Sequence, residues 1–255
     1  MMRRVLAAAA ASLAVGSALS AQRVVSSVDV SGTGIWYADS IRSAGSSLSP
    51  ALSIDWTHAT LGAFGNVSQL GSGGLSVQGV VAPSVFTPNV GPFTMEFASS
   101  MGGSSHQDGT RTGQAVATAR AHIMGSGVGT WGGAGFGRTW DGATWRGVRE
   151  FEAGAWLRSG NFTALASVTP TAVQDTIRYT DVQIAVRYPA NALELGFTTG
   201  ARSGSVGSAI GGTSRAWGSV SVIDWLASRL AVVASAGSYP VDLTQGYPGG
   251  RFVSL

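Results

Sequence analysis

The 255 residues contain neither cysteine nor lysine, and only 11% are charged. That excludes a disulfide scaffold, a thiolate metal centre and a lysine-bearing phosphate loop. The formal charge of +3 includes Arg3 and Arg4 at the extreme N-terminus, so the rest of the chain is close to neutral. No basic patch interleaved with aromatics argues for nucleic acid as a partner.

The first element is Arg3 and Arg4, then an apolar run from Val5 to Val15, then mostly small residues from Gly16 to Ala21. This order reads as a secretory signal peptide over 1–21, cut after Ala21, with Leu19 an unusual residue at the −3 position. The run is too short to cross a bilayer as a helix, which needs ~20 apolar residues. No later segment is long and apolar enough either. A charge content well under the ~25% of ordinary soluble domains fits a large β core or a barrel facing lipid.

From residue 22 onward the chain alternates with period two, the signature of strands. Phe93 to Met101 sets Phe93, Met95 and Phe97 against Thr94, Glu96 and Ala98. Gly113 to Ile123 sets four alanines and Ile123 against Gln114, Val116, Thr118, Arg120 and His122. Ile177 to Pro189 places Val182, Ile184, Val186 and Tyr188 opposite Asp181, Gln183, Ala185 and Arg187. Ala192 to Arg202 places Leu193, Leu195 and Phe197 opposite Glu194, Gly196 and Thr198. Breaks rich in Gly, Ser, Asn, Asp and Pro fall at 43–47, 57–60, 71–74, 88–92, 103–111, 125–129, 141–143, 159–161, 174–176, 189–192, 203–212, 226–229 and 244–250. They delimit about fourteen strands (range 12–16), most of them about 10–15 residues long, where a tilted membrane strand needs ~9–11. The even-numbered breaks are short, and the fifth, eleventh and thirteenth are the longest. Six tryptophans (Trp56, Trp131, Trp140, Trp145, Trp156, Trp225) lie near breaks, as interfacial girdles would.

In its leader, long alternating strands and uneven loops the chain resembles the bacterial outer-membrane β-barrel superfamily, and porin-like barrels in particular. The resemblance covers 22–255 as a single domain. It implies an all-β, antiparallel up-and-down transmembrane barrel in the outer membrane, with both termini periplasmic. Such barrels usually close on a full strand with a terminal aromatic. Here the last segment, Gly250 to Leu255, ends in leucine and is either short or truncated. The competing architecture is a secreted soluble all-β binding protein. Strand length, and the concentration of charge on one face, favour the barrel.

Motifs for catalysis are weak. Gly127 to Gly132 matches GxGxxG, but no helix follows, so a dinucleotide site is not expected. His106 lies beside Ser105 and Asp108 in a polar loop, which alone does not make a nucleophile and its base. An enzyme is therefore not expected, nor a cofactor or metal. The informative residues are charges predicted to share the inner face: Asp55, Glu96, Arg120, Arg146, Glu150, Glu152, Arg158, Asp181, Arg187, Glu194 and Arg202. These would line a lumen, either tuning a water-filled pore or pairing to fill it. The expected function is a porin-like channel for passive diffusion of small polar solutes, with outer-membrane lipid as the other partner. A non-conducting structural or adhesion barrel is the alternative.

Overall fold

The computed structural model describes residues 23–37, 42–70, 74–174, 177–206, 215–239 and 250–255. The expected signal at 1–21, and most of the breaks at 71–74, 174–176, 203–212 and 244–250, lie outside the described residues. Fourteen strands run in order: β1 (Arg23–Tyr37), β2 (Arg42–Asp55), β3 (Ala59–Leu70), β4 (Leu75–Phe86), β5 (Phe93–His106), β6 (Arg111–Met124), β7 (Val128–Trp140), β8 (Trp145–Ser159), β9 (Phe162–Val173), β10 (Ile177–Ala190), β11 (Leu193–Val206), β12 (Arg215–Ala227), β13 (Leu230–Tyr239) and β14 (Gly250–Ser254). Each pairs antiparallel with its neighbours in sequence, and β14 pairs with β1, so the sheet closes into a barrel. Away from the β13–β14–β1 seam, closure gives the backbone N–H and C=O groups of the described strands partners within the sheet, the condition for crossing hydrocarbon with strands.

Two expected breaks are corrected. Residues 43–47 are not a turn but part of β2, where Gly45 is paired with Thr33 on one side and Leu70 on the other. Serine and glycine mark turns only when backbone pairing does not claim them. The break at 103–111 contracts to 107–110, because β5 continues through His106. Tight hairpins at 160–161 and 191–192 turn through a left-handed residue, Gly160 (φ 55°) and Asn191 (φ 57°). The turns 107–110 and 141–144 lie at the opposite end of the barrel. The connection 87–92 departs from the expected parity by being long at the tight end.

Alternation decides which side chains meet which medium. Val28 (67% exposed), Phe136 (58%) and Phe151 (56%) point away from the barrel, as do Phe97, Leu195, Phe197 and Val222. Only Ile54, Val173 and Ile177 form a buried apolar core among the described residues. A soluble sandwich would bury these Phe, Leu and Val side chains, since each contributes about 1.5–3 kcal/mol on leaving water. An outward apolar surface of this kind is the lipid-facing belt of a membrane barrel.

Tryptophan placement corrects part of the girdle expectation. Trp140 and Trp145 do stack on the outer face (centroids 6.3 Å apart), and Trp225 is exposed at the end of β12. Trp131 and Trp156 instead face inward. Trp131 packs over Gly154 and Trp156 over Gly129, its cross-strand neighbour. A glycine opposite each indole leaves the room that the ring fills.

β14 spans five residues, Gly250–Ser254. β14 pairs with β1 only from Thr33 to Tyr37 and with β13 only from Ser235 to Tyr239. Leu255 adds a reciprocal pair of hydrogen bonds with Gly32 (2.7 and 2.9 Å). Among the described residues, Arg23–Ser31 pair only with β2, and 230–234 only with β12.

Candidate functional site

The barrel interior is identified by what surrounds its central cavity. A space of about 560 Å³ is lined from nine strands, β3 through β11, by residues including Thr60, Ser84, Glu96, Arg120, Glu150 and Arg202. A groove on the outside of a sheet cannot draw side chains from so many strands. The cavity is therefore part of the lumen, and its residues fix which parity faces inward.

The strongest electrostatic feature is on β5–β8. Glu96 stands directly across from Arg120, Arg120 across from Gly133, and Gly133 across from Glu152. Because Gly133 has no side chain, the Arg120 guanidinium spans β7 and bonds carboxylates on both sides. It donates to Glu96 Oε1 at 3.1 Å through an Nη and to Glu152 through Nε. Glu96 holds a second partner, His122, with Nε2 2.9 Å from Oε2. Glu150 lies two residues from Glu152, hence on the same face. It leans over Gly135, where an added Cβ would stand 2.6 Å from Glu150 Oε1. Glu150 has no ion-pair partner among the described residues and borders the cavity. Three carboxylates thus gather round one guanidinium, which leaves this wall with surplus negative charge.

The other expected residues fall into separate pairs. Asp181 and Arg202, direct partners on β10 and β11, form a two-pronged bridge with both N–O distances 2.6 Å. The guanidinium carbon also lies 4.6 Å from the centre of the Tyr179 ring. Arg187 meets Glu194 at 2.5 Å near the tight-turn end. Arg146 pairs with Asp141 at 2.6 Å, a turn residue that the strand pattern did not mark. Ahead of Arg146, the Asp141 carboxylate accepts the N–H groups of Thr144 (2.9 Å) and Ala143 (3.0 Å), and these contacts hold it below the usual carboxylate range. Asp55 accepts from Ser53 Oγ at 3.2 Å, and Arg158 stands exposed at the barrel rim.

Three features of this interior went unrecognised in the sequence. The glycines of β7 at one parity (Gly129, Gly133, Gly135, Gly137) clear space for neighbouring side chains, and that regular spacing was the available signal. Val173 and Ile177 pack with Val148 and Tyr179 into an apolar patch on the inner wall. His122 faced the predicted lumen, but its bond to Glu96 depends on register.

The loop triad does not assemble. His106 Nε2 lies 3.3 Å from Ser104 Oγ, while Ser105 pairs across to Arg111 on the opposite face. The Asp108 carboxylate accepts the Thr110 N–H at 2.8 Å, which depresses its pKa. The GxGxxG stretch is the turn and first part of β7, with Gly129 under Trp156.

No protein-family model matches the sequence, and no curated protein matches it. Among solved structures the chain is similar to "KdgM porin in complex with disordered oligogalacturonate", at 9% identity and TM-score 0.48, covering 90% of this chain and 96% of that one. It is also similar to "Salmonella typhi OmpF complex with Daunomycin" (10%, TM-score 0.49, 91% and 96% covered). A third is a NanC porin structure (11%, TM-score 0.47, 89% and 98% covered). The architecture of this chain stands on its own strand pairing.

Proposed function

We propose that this chain, exported by its 1–21 segment, is an outer-membrane channel through which small polar solutes diffuse passively. The observation that carries the reading is the polar cavity of about 560 Å³ bordered by nine strands of a closed barrel. The outward apolar face supplies the lipid contact and the inward charges supply a wet interior. Surplus carboxylate on β5–β8 gives the lumen a mild preference for cations. The remaining bridges, Asp181–Arg202, Arg187–Glu194 and Asp141–Arg146, are internally balanced and add no net charge.

Swelling of proteoliposomes in sugars and amino acids of increasing mass tests this. Rapid swelling in the smallest solutes, falling off with mass, is expected. A barrel that is folded and heat-resistant on gels yet gives no swelling at any mass contradicts the channel. That result would favour a structural barrel, filled by its ion pairs and by the Val173 patch.

A further inference from the structure

The outer wall carries a charge pattern that the channel does not use. Among the described residues, the outward-facing arginines are Arg111, Arg138, Arg149, Arg178 and Arg251, and all lie toward the end that bears turns 107–110 and 141–144. The outward carboxylate on a strand, Asp224, lies at the opposite end, across from Leu193.

Three of these arginines form one patch. Arg149 on β8 faces Ala172 on β9, and Ala172 faces Arg178 on β10, so the two arginines flank one small residue in a single cross-strand row. Arg138 on β7 faces Gly147, two residues from Arg149. Neither Arg138 nor Arg149 has an ion-pair partner among the described residues. Grooves run along both flanks of Arg149. One, of about 670 Å³, is bordered by Arg149, Phe151, Pro170, Ala172, Arg178 and Gly204. The other, of about 350 Å³, is bordered by Phe136, Gly147, Arg149 and Ala172. Glycine and alanine keep the floors low, and exposed Phe136 and Phe151 continue the wall toward the middle of the strands. The stacked, outward Trp140 and Trp145 mark the same end as an interface between hydrocarbon and water.

We propose that this patch seats the anionic phosphate headgroup of a membrane lipid in the leaflet at the 141–144 end, with its acyl chains along Phe136 and Phe151. The inference rests on the membrane-barrel reading above. A planar guanidinium matches phosphate with two parallel N–H donors, and its aliphatic stem lies along apolar surface while the head reaches the interface. Carboxylate neighbours would neutralise Arg138 and Arg149, and the only outward strand carboxylate among the described residues is at the far end.

The test places purified full-length protein in vesicles of equal phosphatidylglycerol and phosphatidylcholine, re-extracts it gently, and weighs the retained lipids by native mass spectrometry. Wild type is expected to enrich phosphatidylglycerol by roughly tenfold or more, given about 1 kcal/mol per arginine at a charged membrane surface. R138S/R149S/R178S is expected to lose the enrichment, while R229S, at the other end, keeps it. Millimolar inorganic phosphate is expected to leave the bound lipid in place. Equal retention of both lipids by wild type overturns the proposal. So does enrichment that survives the triple substitution, or displacement by inorganic phosphate. These results leave the membrane barrel standing, whereas a chain that stays in solution without detergent overturns the barrel reading as well.

Discussion

The wall formed by β5–β8 and the seam formed by β13, β14 and β1 lie in the same barrel but are built differently. Across the wall, pairing is nearly unbroken: β5 and β6 register from Phe93↔Ile123 to Ser105↔Arg111, and β7 and β8 from Val128↔Leu157 to Trp140↔Trp145. At the seam, β14 offers five residues, and Thr33 Oγ1 donates to Ser254 Oγ at 3.0 Å, a bond between two hydroxyls. Half-buried charges need partners held at fixed distances, because desolvation is offset only when geometry is good. The fully paired strands supply that frame, and the charged cluster is found there.

The largest expected contrast is in hydrogen exchange. Amides with no strand partner on one side open locally, so 24–31 and 230–234 are expected to exchange on the order of a thousandfold faster than 115–121 and 149–155 in lipid. Uniform protection around the barrel would remove the distinction. Next is Arg120→Ala, which strands Glu96 and Glu152 beside Glu150. A loss on the order of 2–3 kcal/mol is expected in equilibrium unfolding, below the 3–5 for a fully buried pair because lumen water reaches the carboxylates. A change within about 0.5 kcal/mol, the range of an ordinary surface substitution, would show that the cluster does not hold the wall together.

A smaller effect is expected from Gly154→Val. Its side chain would enter the space of the Trp131 ring, with an expected cost of about 1–3 kcal/mol from overpacking. Adding Trp131→Ala should recover much of that; an additive double variant would mean the indole does not rest on the glycine. The smallest effect concerns turn 141–144. Asp141 has a depressed pKa, so its contribution is present above the ordinary carboxylate value of 3.8 and is lost as pH falls through the lower folded value. Below that range, wild type and Asp141→Asn should converge in stability. A difference that persists there would assign the turn's order to something other than the carboxylate.

Strand content was legible because alternation is a local property: Leu193, Leu195 and Phe197 against Glu194 and Gly196 says which face is which before any neighbour is known. The same local reading erred at 43–47, where Gly45 looked like a turn and is held by strands on both sides. The candidate site was legible by parity and illegible by partnership. Glu96, Arg120, Glu150 and Glu152 could all be assigned to one face. That Arg120 reaches Glu152 depends on the register of β7, and on Gly133 lying between them. Trp131 and Trp156 show the same limit. Closeness to a turn suggested an interface, but parity and the glycines opposite turn both indoles inward.

The central claim is an open lumen whose β5–β8 wall carries surplus carboxylate. Single-channel recording in a planar bilayer under a potassium chloride gradient tests it most directly. The expected result is stepwise conductance with a reversal potential on the cation-selective side, moving toward zero in Glu150→Gln. A folded, inserted protein that gives no steps would contradict the account.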